Sequence, residues 1–366
     1  MKFTINREAL LKPLQAVAGV VERRQTLPIL SNVLISVKGK TLSMTATDLE
    51  VEMVTHSMLN ADETGDITLP ARKFLDICRA LPDQAKIELI AEQERAVVRS
   101  GKSRFVLATL PVKDFPNLGA IKGAYEFNVP QKALKRVIER TQFAMAQQDV
   151  RYYLNGLMLE LGKNRIRVVA TDGHRLALCD LEADLTGADQ QQVIIPRKGV
   201  VELARLLDDV ETPVAVSLGS NHIRFTTDTL SFTSKLVDGR FPDYQHVVPQ
   251  GGSNIVIAER DPLKQALVRA SILSNEKYRS ISFQMSKGSV RILARNPEQE
   301  EAEEEVAVDY KGKGLDIGFN ASYMLDALSA VTTEQVRLSM TDANSCCLVE
   351  GVGDTSCKYV VMPMRL

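Results

Sequence analysis

Three times along the chain the same succession of signals appears: a short strand, a helix start, an amphipathic helix, alternating β-branched segments, a polar turn and a second helix. Residues 3–5 precede a helix whose Leu10, Leu14, Val17 and Val21 share one face. Residues 125–129 precede Leu134, Ile138, Thr141 and Met145, and residues 255–258 precede Leu263, Leu267, Ala270 and Ser274. Steps of four, three and four residues draw one apolar stripe on each helix. Asp261-Pro262 predicts the start of the third of these helices. The turns Ala46-Thr47-Asp48, Ala170-Thr171-Asp172 and Ala294-Arg295-Asn296 recur at a constant interval (172 − 48 = 296 − 172 = 124 residues). The second helices carry Phe74, Ile77 and Leu81, then Val200, Leu203 and Leu207, then Met324, Ala327 and Val331.

The repeat predicts an α+β fold of three tandem units, at 1–124, 125–252 and 253–366, with breaks where Gly and small residues interrupt the pattern. Alternation in 30–37, 165–170 and 290–293 indicates antiparallel sheets covered on one face by two helices per unit. No stretch approaches the length of an apolar membrane span, and the N-terminus lacks the apolar core of a signal peptide, so a cytoplasmic protein is expected. Five cysteines without a CxxC spacing fit buried thiols in a reducing compartment rather than a disulfide framework.

The net charge is only −1, so any nucleic-acid role must come from how charge is distributed. The helical stretches carry Arg7, Lys12, Arg72, Lys73, Arg79, Lys132, Lys135, Arg136, Arg140, Arg197, Lys198, Arg205, Lys264 and Arg269. Against these stand only Glu8, Asp76, Glu139, Glu202 and Asp326, while acid is densest at 298–305. Two readings remain open from charge alone: solvated helix faces, or a surface facing a polyanion. Six helices in a ring leave a bore of about 9 Å, whereas twelve leave one on the order of 28 Å, wide enough for a duplex. Three units therefore encircle DNA only as a dimer, for which closed two-fold assembly is the commonest route.

Enzyme readings find little support. Gly101-Lys102-Ser103 resembles the end of a P-loop, but Ala96 stands where its first Gly belongs and no helix follows. His56, His174, His222 and His246 have no metal-ligand spacing, and no metal or cofactor is expected. Asp48 and Asp172 recur with the repeat, as turn formers do. An enzyme or polymerase subunit with chemistry of its own is the alternative function. Nucleotide incorporation by the purified chain alone would distinguish it.

The words Thr26-Leu27-Pro28-Ile29-Leu30, Arg151-Tyr152-Tyr153-Leu154-Asn155-Gly156, Thr171-Asp172-Gly173-His174-Arg175-Leu176 and Asp238-Gly239-Arg240-Phe241-Pro242-Asp243-Tyr244 resemble the bacterial sliding clamps, the β subunits of the DNA polymerase III holoenzyme. The likeness runs from Met1 to the closing Met362-Pro363-Met364-Arg365-Leu366. It implies a non-catalytic processivity factor: a homodimeric ring around double-stranded DNA, its sheets outside and its helices lining the hole, binding without sequence preference. The implied partners are the polymerase III catalytic subunit, a clamp loader with its own ATPase, and repair and translesion polymerases, which dock through clamp-binding peptides. The implied setting is the cytoplasm, at the nucleoid.

By the same likeness the peptide groove draws on Leu154, Thr171, Gly173, His174, Arg175, Leu176, Pro242 and Val247. Tyr278, Asn320, Tyr323, Met362, Pro363, Met364 and Arg365 complete it, with His246 and Cys346 as departures where the family often has Arg and Ser. For DNA the likeness points to Arg24, Gln148, Tyr152 and Tyr153, with Arg72, Lys198 and the other helix cations as a diffuse lining. The tyrosines fit either base stacking or half-buried packing. The dimer contacts are expected at Lys73, Ile77, Arg104 and Phe105 on the first unit and at Ile272, Leu273, Glu298 and Glu300 on the third. There the acidic run would meet Arg95, Arg99, Lys102 and Arg104.

Overall fold

The structure is a computed structural model that describes residues 1–21, 27–92, 94–119, 121, 125–185 and 191–365. The first repeat contains β1 (Lys2–Asn6), α1 (Arg7–Val20), β2 (Asn32–Lys38), β3 (Thr41–Thr47), β4 (Val51–Met58), β5 (Ala61–Glu63), β6 (Gly65–Pro70), α2 (Ala71–Ala80), β7 (Lys86–Ala91), β8 (Arg95–Ser100) and β9 (Ser103–Ala108). The second contains β10 (Tyr125–Pro130), α3 (Gln131–Glu139), β11 (Gly156–Gly162), β12 (Arg165–Thr171), β13 (Arg175–Glu182), β14 (Gln191–Pro196), α4 (Arg197–Leu206), β15 (Pro213–Leu218), β16 (His222–Thr226) and β17 (Leu230–Lys235). The third contains β18 (Asn254–Glu259), α5 (Arg260–Ser271), β19 (Ser280–Ser286), β20 (Ser289–Arg295), β21 (Glu301–Ala307), β22 (Leu315–Asn320), α6 (Ala321–Ala330), β23 (Gln335–Met340), β24 (Cys347–Gly351) and β25 (Cys357–Val361).

The helix stripes read from the sequence are the buried faces. Leu10, Leu14, Val17, Leu134, Ile138, Leu263, Leu267 and Ala270 are all buried, as are Val200, Leu203, Met324 and Ala327. Thr141 and Met145 continue the buried line past the end of α3, although the chain there has left the α-helix for a short 3-10 turn. The helix start at Asp261-Pro262 is displaced: α5 begins at Arg260, and Asp261 pairs with Arg260 instead of capping. A carboxylate in the first turn serves the helix dipole from that position as well.

Compactness divides the described chain into two units that cut the middle repeat. Residues 1–132 and 201–236 form one, and residues 133–200 and 237–366 form the other. The reason lies in the sheets, which are antiparallel throughout and cross the repeat boundaries. The first unit holds a five-stranded sheet, β5-β1-β7-β8-β9, and an eight-stranded one, β10-β15-β16-β17-β4-β3-β2-β6. Within it β17 of the second repeat pairs with β4 of the first, Phe232 opposite Met53. The second unit holds the eight-stranded sheet β14-β11-β12-β13-β25-β24-β23-β18 and the four-stranded β21-β20-β19-β22. There β13 of the second repeat pairs with β25 of the third, Leu176 opposite Val360.

One cysteine expectation is overturned. Cys179 and Cys357 are joined by a disulfide, although 178 residues separate them. They face each other directly across the β13–β25 ladder, a proximity that spacing along the chain does not encode. Cys78 and Cys347 are buried free thiols as expected, and Cys346 is half-buried.

The recurring polar turns do what their residue type suggests. Asp48 Oδ1 accepts from the backbone N–H groups of Glu50 and Val51 at 2.9 and 2.8 Å. Asp172 Oδ1 accepts from those of His174 and Arg175 at 2.9 and 3.0 Å. Asn296 reaches one residue further, to Glu300 N at 2.9 Å, which lengthens the third turn. Gly101-Lys102-Ser103 lies at the tight β8–β9 hairpin, with Gly101 at φ +55 and Ser100 opposite Ser103.

Candidate peptide-binding groove

In the second compact unit a cavity of about 160 Å³ is walled by Leu154, Thr171, Leu176, Pro242, Tyr244, Val247, Val360 and Met362, with Arg151, Gly173 and Arg175. Leu176 and Val360 reach it as cross-strand partners on β13 and β25. Pro242 and Val247 flank the short 3-10 turn Tyr244–His246, and Leu154 ends another such turn. Behind them lies a buried apolar cluster that includes Met158, Val169, Leu178, Ile194, Phe241 and Leu348. Met362 N donates to His174 O at 2.9 Å and Met364 N to Gly318 O at 2.8 Å, so the C-terminal segment is pinned at two points. A concave apolar wall with a few fixed polar groups suits an extended peptide.

The turn beside the cavity is built tightly. Thr171 Oγ1 donates to Arg175 O at 2.6 Å and accepts from Gly173 N at 3.1 Å. Gly173 sits at φ +87, and a Cβ there would lie 3.1 Å from both terminal nitrogens of Arg151. Glycine meets both constraints without strain. The Arg151 guanidinium is itself fixed by Asp149, and its hydrogen bond holds the Asp149 carboxyl down to about 2.

Two polar networks hold the walls. Glu160, 1% exposed, accepts from Tyr244 Oη at 3.0 Å and from Gln192 Nε2 at 2.7 Å. Arg167 forms a two-point contact with Asp180 at 2.6 and 2.7 Å and donates to Tyr244 Oη at 3.4 Å. The Asp180 hydrogen bond, chiefly, raises the guanidinium pKa, while burial raises that of Tyr244. Arg175 joins Asp172, Asp326 and Phe143 O, and lies against the Tyr323 and Phe143 rings. Its donors are therefore engaged by the protein, and it shapes the cavity more than it presents charge to it.

Of the expected groove residues, Leu154, Thr171, Gly173, Arg175, Leu176, Pro242, Val247 and Met362 line the cavity itself. His174 stacks on Tyr323 with ring centroids 6.4 Å apart. Asn320 caps α6 by accepting from Tyr323 N at 3.2 Å and donates to Tyr278 O at 3.1 Å. Pro363 and Met364 are half-buried and Arg365 is exposed. His246 is well exposed beside Asp243 and is no part of the wall, whereas Cys346 Sγ donates to Met362 Sδ at 3.3 Å and so touches it. Sequence reasoning missed Arg151, Tyr244 and Val360. Arg151 and Tyr244 stand inside words already singled out, whereas Val360 lies in a continuously buried run, Tyr359 to Val361, that carries no alternation signal.

Among the expected DNA contacts, Arg24 lies outside the described residues. Gln148 is exposed at φ +57, and Tyr152 is 58% exposed with its ring edge-on to Tyr153 at 5.8 Å. Tyr153 is half-buried against the apolar cluster. Arg72 is exposed and donates to Val21 O, and Lys198 is half-buried. The diffuse helix lining needs correction at several positions: Arg197 is half-buried and donates to Met145 O at 3.1 Å, and Arg269 makes a two-point contact with Glu304. Arg7, 15% exposed, is tied to Asp83 and Cys78 O, and Arg140, 14% exposed, to Asp354 and Thr332. Arg7 binds the open carbonyl end of α2 and Asp83 beyond it, while Arg140, just past α3, reaches two loops of the third repeat.

The expected dimer contacts fall at the sheet edges and beside them. On β9 Arg104 is exposed and Phe105 half-buried; on α2 Lys73 is exposed and Ile77 half-buried. Ile272, just past α5, is 72% exposed and Leu273 half-buried. The acidic run divides: Glu298 and Glu300 sit in the β20–β21 turn, and Glu301, Glu303 and Glu305 alternate along the exposed face of β21.

Comparison with known proteins agrees over the full length. Residues 1–119, 128–243 and 245–365 match the families described as DNA polymerase III beta subunit N-terminal, central and C-terminal domains. The beta sliding clamp of Pseudomonas putida is 57% identical and that of Escherichia coli K12 53% identical, each aligned over 100% of both chains. The crystal structure of DNA polymerase III subunit beta from Pseudomonas aeruginosa superposes with a TM-score of 0.97 at 56% identity, covering 100% of both chains. The pol III beta of Caulobacter crescentus superposes with a TM-score of 0.95 at 40% identity, again with 100% of both covered.

Proposed function

Because the chain belongs to the DNA polymerase III beta-subunit family, the sliding clamps, we propose that two copies close head to tail into a ring around duplex DNA. The chain is a DNA sliding clamp, a non-catalytic processivity factor that partners DNA and DNA polymerase III. The ring supports that role by topology: phosphate contacts carry no sequence information, so a closed ring slides while remaining linked to its template.

The observation that carries the proposal is a broken pattern of strand pairing. β4, β13 and β21 are equivalent, each following the turn at Asp48, Asp172 or Asn296. β9, β17 and β25 are equivalent too, each ending the last hairpin of its repeat. β17 pairs with β4 and β25 with β13, while β9 and β21 remain free edges among the described residues. Applying the same rule once more pairs β9 with β21. Within one chain that closure leaves a bore of only about 9 Å, but between two chains, made twice, it yields six repeats and about 28 Å. Chemistry agrees. Val106 on β9 and Ile272 beside α5 are exposed apolar groups, and Arg104 is exposed on β9 as Glu301, Glu303 and Glu305 are on β21, of which Glu301 and Glu303 also pair with Arg295 and Arg291. Free edges of this kind are normally covered.

The repeats at 1–124, 125–252 and 253–366 then serve as six equivalent arcs. The cavity at Leu176, Pro242, Val247, Val360 and Met362 serves as the docking groove for peptides of the polymerase, of an ATP-driven loader and of repair polymerases. The exposed helix cations, with Tyr152 and Gln148, serve as the DNA-facing lining. No helix of the described residues is long and apolar enough to cross a membrane, and we place the ring in the cytoplasm at the nucleoid. Light scattering should give the mass of two chains, and the loaded protein should stay on circular DNA and leave linear DNA by its ends. Equal retention on both forms would sink the ring.

A further inference from the structure

Sliding and tethering make no use of the bond between Cys179 and Cys357. It sits on the β13–β25 ladder, where the second and third repeats meet. Three rungs along that ladder Leu176 faces Val360, and both line the groove. Cys357 is the first residue of β25, and beyond it Asp180 N closes the ladder on Ser356 O at 2.7 Å. The Arg140 guanidinium stands 3.5 Å from Cys357 Sγ while pairing with Asp354 at 3.3 Å. A thiolate released at Cys357 therefore meets a fixed cation, which favours exchange at that sulfur. Cys179 and Cys357 are themselves buried, at 0% and 4% exposure, so a small thiol or disulfide reaches them only when the β13–β25 pair opens locally. Burial pushes the thiols of Cys78 and Cys347 up to about 12, and Cys346 is taken up by Met362. In a cytoplasm buffered by glutathione, a protein disulfide is usually transient and redox-sensing.

We propose that Cys179 and Cys357 form a reversible redox modification site whose disulfide locks the strand pair beneath the groove. In the oxidising direction the Cys357 thiolate attacks one sulfur of a small disulfide such as oxidised glutathione, and one glutathione thiolate leaves. The Cys179 thiolate then displaces the second, so two cysteine thiols become one disulfide and one small disulfide becomes two thiols. Excess reduced glutathione or a dithiol runs both steps backwards. With the bond made, β13 and β25 cannot part, and the floor at Leu176 and Val360 stays assembled. Without it that floor rests on backbone pairing and side-chain packing and opens more often. The consequence for binding rests on the peptide-groove reading; the lock itself does not.

The full-length protein, equilibrated in oxidised or reduced glutathione, is denatured and alkylated without reductant and then weighed. Three of the five cysteines should be tagged after oxidation and all five after reduction. Hydrogen exchange over 175–182 and 357–361 should be about tenfold slower in the oxidised protein. Cys357→Ala and Cys179→Ser should exchange at the reduced rate in both buffers. A fluorescent peptide bearing the clamp-binding segment of a polymerase III catalytic subunit should leave the oxidised protein about threefold more slowly. Five tags after oxidation, or equal exchange in the two states, overturns the proposal. If the peptide binds neither state, the groove reading falls, and the exchange rates still decide the lock.

Discussion

Arg175 places its guanidinium carbon 4.5 Å from the centre of the Tyr323 ring and pairs with Asp326 one turn further along the same helix. A residue of the second repeat thereby holds α6 of the third against the turn that lines the groove. Arg175 is 13% exposed, so removing it leaves Asp172 and Phe143 O without a partner that water readily replaces. Asp326 is 44% exposed and its share is screened.

Arg175→Ala should therefore lower stability by about 2 kcal/mol and weaken clamp-binding peptides by about tenfold. Arg175→Lys should rescue little, because an ammonium cannot serve three acceptors and two rings in one plane. Calorimetry and fluorescence anisotropy measure the two effects. Full affinity in the Lys variant would show that charge alone suffices.

Deleting residues 364–366 removes the Met364 N contact to Gly318 O and leaves β25 intact. Peptide affinity should fall by about fivefold while the mass in solution stays that of the untruncated assembly. Unchanged affinity would move the groove away from the C-terminal segment.

The proposed ring would bury apolar surface near the free edges. Ile272→Asp sets a charge where a 72% exposed isoleucine now waits for cover, and should yield single chains by light scattering. Retention on circular DNA should vanish with the dimer. Melting of the single chain should change little, since this side chain is not part of its core.

Tyr152, 58% exposed, tests the lining. Tyr152→Ala should cost about 1 kcal/mol on DNA with exposed bases and much less on plain duplex, as read by titration at fixed salt. An equal loss on both would identify the ring as packing rather than stacking.

Glu52 lies buried on β4 opposite Thr233 of β17, and burial raises its pKa despite a hydrogen bond from Leu118 N. The fold thus favours the protonated acid. Its contribution is complete below the ordinary carboxylate pKa and is lost as pH rises through the raised value. Glu52→Gln should melt higher than the parent near neutral pH and level with it near about pH 4. An identical pH slope in both proteins would rule out Glu52 as the cause.

The sheets and helices were legible because their signals are local. A stripe of period 3.6 on α1 or α5, or alternation along β20, needs only neighbours in sequence, and the turn at Asp172 closes on its own next residues. The groove was legible mainly through family words, since its walls come from residues 151 to 362 and no local pattern joins Leu154 to Met362. Arg7 and Arg140 were read as surface charge because a cation on a helix looks the same whether it meets water or a loop carboxylate.

By itself the sequence determined a threefold repeat, the buried face of each helix and antiparallel sheets. Tertiary structure alone decided which strand edges meet. It placed Cys179 against Cys357 across 178 residues, paired β17 with β4 and β25 with β13, and, among the described residues, left β9 and β21 uncovered. The physical reason is that periodicity records which way a side chain faces, whereas register between distant strands is set by packing and backbone hydrogen bonds that form only once the chain has closed on itself.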